Sequence, residues 1–286
     1  MATINGTSGN DTLTGTSADD TIVPGNGDDS IDGLGGKDTL TLSGPRSNYN
    51  ISQTFTGYTV KDTVGATGTK TVSNVELLQF SDTIDNLSIA ADAKQLSSTQ
   101  LNSLTELYIA FFNRVPEAGG FDYWINQLVG GTSLTDIAKS FYEAGVQYSS
   151  LTKFSADMTD QDFINVFYQN VLGRPEGADA GGMDYWNTKL AQGISTRWSL
   201  AQDILASAHT FKGNAALGYV ADLLDNKITV GTYHAVTAGV DYLTPADAVT
   251  QGVAIAQRVT ASDTAAAITM IGLSTQTDFQ SPPMPG

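Results

Sequence analysis

Four aspartates near the N-terminus recur at a constant spacing of nine residues, at Asp11, Asp20, Asp29 and Asp38. An aliphatic residue follows each of them two places later, and glycines recur in the same register. Carboxylates at a fixed interval can bind a cation, and hard oxygen ligands in irregular loops suit Ca²⁺ better than Mg²⁺, which requires strict octahedral geometry. The chemistry that this spacing indicates is therefore repeated binding of Ca²⁺.

The segment that carries these aspartates should fold poorly by itself. Residues 25–40 read GNGDDSIDGLGGKDTL; glycine has the most backbone freedom to lose on folding, and clustered carboxylates repel one another. One interpretation is a disordered, acidic linker. The other is a segment that folds around bound cations, and the regular phase of the units GTSGNDTLT, GTSADDTIV, PGNGDDSID and GLGGKDTLT favours it.

These units resemble the nonapeptide of RTX (hemolysin-type) calcium-binding repeats, G-G-x-G-x-D-x-U-x. The second unit departs from the pattern at Ala18 and the third at Pro24. The resemblance implies a parallel β-roll, in which six residues make a turn and three make a strand. It also implies that turns two units apart are neighbours and that Ca²⁺ lies between them, so that folding and binding are one event.

Site residues follow from that resemblance. It implies that Asp11 pairs with Asp29, and Asp20 with Asp38, as metal ligands within residues 6–42. We expect about two to four ions of weak affinity, with Kd roughly 10⁻⁴ to 10⁻³ M. The residues one place earlier, which are either outer ligands or merely exposed, are Asn10, Asp19 and Asp28.

The hydrophobic pattern changes after the repeats. Residues 45–85 alternate in the manner of short antiparallel strands, which we expect to cover the last coil. From Ser97 the period becomes about 3.6, which is typical of helices. Ser133 with Asp136, and Thr159 with Asp162, are helix-opening signals.

A second repeat lies in the helical region. Residues 107–128 and 167–190 share an aromatic helix, an Arg-(x)-Pro-Glu turn and the string Ala-Gly-Gly-x-Asp-Tyr-Trp. This motif resembles a domain of unknown function from bacterial surface proteins and, in pattern, phycobilisome linker domains. We predict that its Tyr-Trp pairs are core residues: Tyr123, Trp124, Tyr185 and Trp186. The alternative makes the loop carboxylates a second cation or sugar site: Glu117, Asp122, Glu176, Asp179 and Asp184.

The predicted fold class is α+β, a short calcium-binding parallel β-roll with an antiparallel cap, followed by an all-α region. The expected domains are 1–95 for the roll and cap, 96–212 for the duplicated helical domain, and 213–286 for further helices and a flexible tail.

The net charge and the lack of catalytic motifs restrict the classes of function that we expect. A net charge of −16 argues against nucleic acid and anionic membrane surfaces as partners, and favours cations. The chain has no cysteine, no N-terminal signal pattern and no apolar run long enough for a membrane span. His209 and His234 lie in no metal-binding motif, and no nucleophile motif occurs, so we expect that the protein is not an enzyme.

The RTX resemblance implies an extracellular or bacterial cell-surface protein exported by type I secretion. We expect the export signal in Thr260–Gly286, which lacks Lys and Arg. The predicted function is calcium-dependent self-assembly into an S-layer-type surface layer, sheath or filament, with copies of the same chain and a cell-surface polysaccharide as partners. The alternative is a secreted glycan-binding adhesin or lectin, which would stay dispersed until sugar is added. An enzyme of unrecognised type is the third possibility.

Overall fold

The structure is a computed structural model, and it describes residues 1–272. Its described residues form two compact units, one made of residues 1–90 with 236–245 and the other of residues 91–235 with 246–272. Residues 273–286, which include the predicted flexible tail and about half of the predicted export signal, lie outside the described residues. Within residues 1–272, every helix is too short or too polar to cross a bilayer.

The first unit contains two sheets whose strands alternate along the chain. In spatial order, one sheet consists of β1 (Thr3–Asn5), β3 (Thr21–Val23), β5 (Thr39–Thr41), β9 (Leu77–Gln79), β10 (Thr83–Asn86) and β11 (Val240–Tyr242). The other consists of β2 (Thr12–Thr14), β4 (Asp29–Asp32), β8 (Thr69–Ser73), β7 (Tyr58–Asp62) and β6 (Tyr49–Gln53). Strands from the first four repeats pair only in parallel, odd with odd and even with even, as a β-roll requires.

One aliphatic side chain from each repeat fills the space between the sheets. Leu13, Ile22, Ile31 and Leu40 are all buried, and they belong to one apolar cluster with residues from the later strands. Burial of each such side chain contributes about 1.5–3 kcal/mol. Because each repeat supplies only one such residue, the core is thin, and the fold depends on contributions from the turns.

The predicted antiparallel cap is present, and it does more than cover the last coil. Strands β6, β7 and β8 form an antiparallel meander, and β9 pairs antiparallel with β10. However, β8 also pairs in parallel with β4, and β9 in parallel with β5. The roll therefore continues through β8 and β9 after the β6–β7 hairpin has been inserted.

The remainder of the chain is mainly helical. The α-helices, in chain order, are α1 (Ile89–Asp92), α2 (Ser98–Phe112), α3 (Ala118–Val129), α4 (Leu134–Gln147), α5 (Asp160–Leu172), α6 (Ala180–Ala191), α7 (Arg197–His209), α8 (Gly218–Thr232), α9 (Pro245–Ala256) and α10 (Ala265–Ile271). Short 3₁₀ helices occur at Arg46–Asn48 and Ala93–Gln95. The predicted caps are confirmed: Ser133 accepts the amide of Asp136, and Thr159 that of Asp162. The fold is α+β, as predicted.

The expectation of helices throughout 213–272 was wrong at one point. After α8 the helix widens into a π-helical turn at Tyr233–Thr237, and Gly239 then adopts the left-handed conformation with φ of 61°. Glycine tolerates that conformation at no steric cost, and it ends the helix. The next residues become β11, which pairs antiparallel with β10.

Candidate calcium sites of the β-roll

The turns of the roll lie along its two edges. We name them by position: the first turn is residues 6–11, the second 15–20, the third 24–29 and the fourth 33–38. Because β1 pairs with β3 and β2 with β4, the first and third turns are neighbours on one edge. The second and fourth turns are neighbours on the other edge, since β3 also pairs with β5. The predicted neighbourhood of turns two units apart is confirmed.

Three of the four repeat aspartates connect their turn to the preceding segment on the same edge, and Asp11 bonds within its own turn. Oδ1 of Asp29 accepts the backbone N–H of Asp11 at 2.9 Å, and Oδ1 of Asp38 accepts that of Asp20 at 2.8 Å. The same bond joins Asp20 to the N–H of Ala2 at 2.5 Å. The structure thus brings together both predicted pairs, Asp11 with Asp29 and Asp20 with Asp38.

The second carboxylate oxygen has the same environment in the first two turns and a different one in the third and the fourth. Oδ2 of Asp11 accepts the N–H and the hydroxyl of Thr7, at 2.6 and 2.9 Å, and Oδ2 of Asp20 accepts those of Thr16, at 2.6 and 2.8 Å. Hydrogen bonds, chiefly from Ala2 and Thr16, lower the pKa of Asp20. In Asp29 this oxygen lies 2.6 Å from Nζ of Lys70.

Asp38 is the exception. Its side chain is buried at 0% exposure, and its Oδ2 has no hydrogen-bond partner among the described residues. Burial raises the pKa of the Asp38 carboxyl, and the charges of Asp20 and Asp19 raise it further. A buried carboxylate oxygen without a partner is costly unless a cation or a proton satisfies it. This oxygen therefore requires a cation or a proton that the described side chains do not supply.

Glu76 bonds to the backbone of the same residue, Asp38. Its Oε2 accepts the backbone N–H of Asp38 at 2.8 Å, and burial, together with the Asp38 charge, raises its pKa. The exposed Lys37 only partly offsets these effects. A Cβ atom on Gly33 would collide with both Oδ2 of Asp38 and the carbonyl oxygen of Asn74. Only glycine leaves open the small space that these oxygens surround.

Asn10, Asp19 and Asp28 form an outer row of side chains. Their Oδ1 atoms accept the backbone N–H groups of Asp28, Lys37 and Thr69 at 2.9, 2.8 and 2.7 Å. All three side chains are exposed. They hold neighbouring turns of the same edge together at the surface of the roll.

Side chains alone do not form a metal cluster. In the part of the chain that the structure describes, no group of three or more histidine, aspartate or glutamate residues could hold an ion. Any site in the roll must therefore combine one or two carboxylates with backbone carbonyls, which are ligands that Ca²⁺ accepts readily.

Comparison with known families agrees with this arrangement. Residues 3–41 match the RTX calcium-binding nonapeptide repeat, in four copies. The cofactor of these turns is Ca²⁺. Such repeats are typical of secreted proteins. Residues 149–213 match a domain of unknown function, DUF4214, which covers α5 to α7. No curated protein matches the chain.

Two residues at the edges escaped the sequence-based prediction, Lys70 and Glu76. A signal for the first was present: residues 65–73 read GATGTKTVS, a nine-residue unit with lysine at the aspartate position. The β6–β7 hairpin separates this unit from the four repeats, so the unit is not in the nine-residue register of the aspartates. For Glu76 the signal is weaker, because its turn is shortened to Asn74-Val75-Glu76.

The helical motif differs from its prediction. Trp186 is buried, and its Nε1 donates to the hydroxyl of Tyr168 at 3.0 Å, as expected for a core residue. Tyr123 and Tyr185, however, are exposed at 55% and 56%. Each ring stacks edge-on against the tryptophan that follows it, at 4.9 and 4.7 Å between centroids. The prediction that these tyrosines belong to the core was wrong, because the following tryptophan is the more inward residue of each pair: Trp186 is buried, and Trp124 is half-buried against Phe141.

Carboxylates of the motif loops pair with the arginines beside them. Nη1 of Arg174 lies 2.9 Å from Oδ2 of Asp179, whose other oxygen accepts the N–H of Gly182 at the start of α6. Arg114 forms the corresponding ion pair with Glu117. These pairs give Glu117 and Asp179 a local structural role.

We expect His234 to make the helical unit sensitive to acid. Its ring is fully buried, and Nδ1 lies 2.7 Å from the carbonyl oxygen of Pro116. Burial lowers the pKa of His234 to about 4, while Glu117 raises it and Arg114 lowers it. Stability from the neutral ring is complete above the unfolded pKa of about 6.5 and is lost as the pH falls towards 4. We expect unfolding free energy to fall by about 2–3 kcal/mol between pH 7 and pH 4.5.

Tryptophan fluorescence during urea unfolding measures this effect, since all three tryptophans lie in the helical unit. His234→Gln should reduce the pH dependence by that amount, whatever its effect at pH 7. Equal pH dependence in both proteins would contradict the prediction.

Proposed function

We propose that this protein is a secreted, non-enzymatic structural protein whose calcium-folded β-roll joins copies of the chain into a surface layer, sheath or filament. Export would be by type I secretion, with the signal in Thr260–Gly286. The proposed side-chain ligands are Asp11, Asp20, Asp29 and Asp38. Asn10, Asp19 and Asp28 would contribute from the outer rim, through water or by holding the turns in register.

The observation that carries this proposal is that each sheet of the roll has an outermost strand at both of its ends. At the C-terminal end of the roll, the β6–β7 hairpin and the strands β10 and β11 extend the two sheets, and β6 and β11 are outermost among residues 1–272. At its N-terminal end, β1 and β2 are the outermost strands of their sheets among residues 1–272. A coil end with unpaired strand edges is a template for pairing with another chain.

Each sheet therefore has outermost strands at both ends, β1 and β11 in one and β2 and β6 in the other. Pairing of unlike edges is head-to-tail, and it propagates rather than closes. A net charge of −16 opposes such contacts, and bound Ca²⁺ reduces that charge while it makes the N-terminal coil rigid.

We also propose that residues 107–128 and 167–190 are two copies of one domain, since an aromatic helix, an ion-paired arginine and a Tyr-Trp pair recur in the same order.

Blocking the N-terminal edges tests the assembly. In the first sheet, the backbone C=O of Ala2 and the N–H of Gly6 form hydrogen bonds to the chain of β3. In the second sheet, the C=O of Asp11 and the N–H of Gly15 form hydrogen bonds to β4. By alternation, the N–H groups of Asn5 and Thr14 point away from their neighbours. Proline at both positions removes these outward donors and no ladder bond. We expect sheets, tubes or fibres of the wild type in millimolar CaCl₂ and monomers in chelator, whereas Asn5→Pro/Thr14→Pro remains monomeric in both.

Sedimentation velocity and electron microscopy report the outcome, and Asn5→Ala/Thr14→Ala is the matched control. Circular dichroism should show the same calcium-induced β signal in all three proteins. A wild type that stays monomeric at high concentration in CaCl₂ would rule out self-assembly.

Glycan binding is the second candidate, and one observation favours it. The helical unit has a cleft of about 550 Å³ whose lining includes Tyr185, Trp186, Arg174 and Lys189. Nζ of Lys189 lies 5.2 Å from the Tyr185 ring centre. An exposed aromatic ring beside charged donors is suited to stacking against a sugar. Binding to a glycan array that Tyr185→Ala loses and Lys139→Ala retains would support this function.

A further inference from the structure

The roll contains two turns beyond the four repeats, residues 65–70 and 74–76. Each is the last turn on one edge of the roll, and the two carry side chains of opposite charge at the aspartate position. We propose that Glu76 completes a calcium site with Asp38 at one edge, whereas the ammonium of Lys70 takes the place of the ion at the other edge. This inference rests on the calcium sites of the proposed function and adds two residues outside the repeats.

Strand register places both residues at the aspartate position of the next turn. In the β4–β8 pair, Lys70 lies opposite Asp29, and Val72 lies opposite Ile31. In the β5–β9 pair, Leu77 lies opposite Thr39, so that Glu76 faces Asp38. Val72 and Leu78 are buried in the line of inward aliphatic residues. Lys70 and Glu76 are thus the fifth and sixth members of the series Asp11, Asp20, Asp29, Asp38.

Turn geometry supports the same alignment. Gly27 and Gly68 both have positive φ, 109° and 77°. A Cβ atom on Gly27 would collide with the carbonyl of Gly9, and one on Gly68 with the carbonyl of Gly27. The segment 65–70 therefore stacks on the third turn as the third turn stacks on the first. It is a fifth turn of the roll with lysine where the aspartate belongs.

Four oxygens surround the ammonium of Lys70. Its Nζ lies 2.5 Å from the carbonyl oxygen of Thr67, 2.7 Å from that of Gly27 and 3.0 Å from that of Gly25. The fourth oxygen is Oδ2 of Asp29, at 2.6 Å. The side chains of Lys70 and Asp29 are 1% and 0% exposed. Backbone carbonyls and one carboxylate from two adjacent turns thus converge on a positive charge.

The four oxygens around Lys70 show that stacked turns of this roll form a cation-binding arrangement. Stacked turns create a pocket of oxygens that needs a cation, and between the third and fifth turns the chain supplies its own. An ammonium group satisfies such oxygens through its three N–H donors, at longer distances than a calcium ion would need. This position is therefore closed to Ca²⁺.

At the opposite edge, no ammonium group within residues 1–272 bonds to the corresponding oxygen, Oδ2 of Asp38. Oδ2 of Asp38, buried and without a partner among the described residues, is the counterpart of the Asp29 oxygen that Lys70 satisfies. Glu76 stands where Lys70 stands on the other edge, and the carbonyl of Asn74 lies beside the same space. Two carboxylates and a carbonyl form an oxygen set of the kind that Ca²⁺ binds.

Counting ions in variants of the full chain tests this assignment. Native mass spectrometry and calorimetry with CaCl₂ give the number of Ca²⁺ ions per chain and the Kd of each. Glu76→Gln keeps the acceptor for the Asp38 amide but removes a charge, so it should lose one ion or weaken one site by about tenfold or more. Lys70→Asp removes the internal cation and restores the repeat pattern, so it should gain one ion.

Matched controls separate these effects from net charge. Glu143→Gln and Lys61→Asp make the same changes in charge at exposed positions of α4 and β7, and they should leave the ion count unchanged. Lys70→Met removes the ammonium without adding a ligand and should gain no tight site. If Lys70→Asp does not fold, Glu76→Gln decides the role of Glu76. A gain in stability of Asp29→Asn/Lys70→Met over Asp29→Asn then decides that of Lys70, and no gain would overturn it.

The possible failures are distinguishable. A wild type that binds no Ca²⁺ would overturn the calcium sites of the proposed function as a whole. A wild type that binds Ca²⁺, with an unchanged count and affinity in Glu76→Gln or no gain in a folded Lys70→Asp, would overturn only the roles of Glu76 and Lys70.

Discussion

Transfer of the protein from 10 mM CaCl₂ into a chelator should lower the free energy of unfolding of the roll by about 4–8 kcal/mol. An ion that binds only the native state contributes RT ln(1 + [L]/Kd), which is about 1.4–2.7 kcal/mol per site for Kd of 10⁻³ to 10⁻⁴ M. The proposed sites number about three: between the first and third turns, between the second and fourth, and at Asp38 with Glu76. Because the core of the roll is thin, this loss is large enough to unfold it.

Two probes follow the two units separately in the intact chain. Far-ultraviolet circular dichroism should lose β signal in chelator, whereas the fluorescence of Trp124, Trp186 and Trp198 should remain native. Magnesium at the same concentration is the control, and it should restore little, since it fits irregular oxygen sites poorly. A roll that keeps its β signal and its unfolding free energy in chelator would contradict the prediction.

Asp29→Asn should destabilise the roll by about 3–5 kcal/mol even in saturating calcium. The asparagine retains the shape of the side chain and an acceptor for the N–H of Asp11, but it leaves the ammonium of Lys70 buried without a counter-charge. Removing one member of a buried ion pair costs far more than removing both. Adding Lys70→Met to Asp29→Asn should therefore recover the part of the loss that comes from the unpaired ammonium, and leave the smaller cost of a lost ligand.

Chemical denaturation of the single and double variants in CaCl₂ measures this coupling. Asp11→Asn is the matched control, because Asp11 is only partly buried and its Oδ2 is bonded to Thr7 rather than to a charge. Its cost should be close to that of a lost ligand, about 1–3 kcal/mol. If Asp29→Asn costs no more than Asp11→Asn, or if Lys70→Met adds to the loss, Lys70 does not depend on Asp29 for its charge balance.

Much of the roll was predictable from the sequence because its determinants are local and periodic. A nine-residue period requires that each turn be followed by a strand in the same phase, and the alternation of sheets then makes turns two units apart neighbours. Leu13, Ile22, Ile31 and Leu40 were identifiable as inward residues by the same period, and all four are buried. Helix starts at Ser133 and Thr159 were predictable for a similar reason, since a cap involves residues only three positions apart.

Only the tertiary structure shows which residues meet Asp29 and Asp38 at the last turn of each edge of the roll. Lys70 meets Asp29 across 41 residues, and Glu76 meets Asp38 across 38, after a hairpin that interrupts the repeat. The outward direction of Tyr123 and Tyr185, and the pairing of β11 with β10 from a distant part of the chain, were likewise not evident from local pattern. A repeat period specifies which residues stack, but whether a buried carboxylate meets a lysine, a second carboxylate or an ion depends on what the chain returns to the same edge.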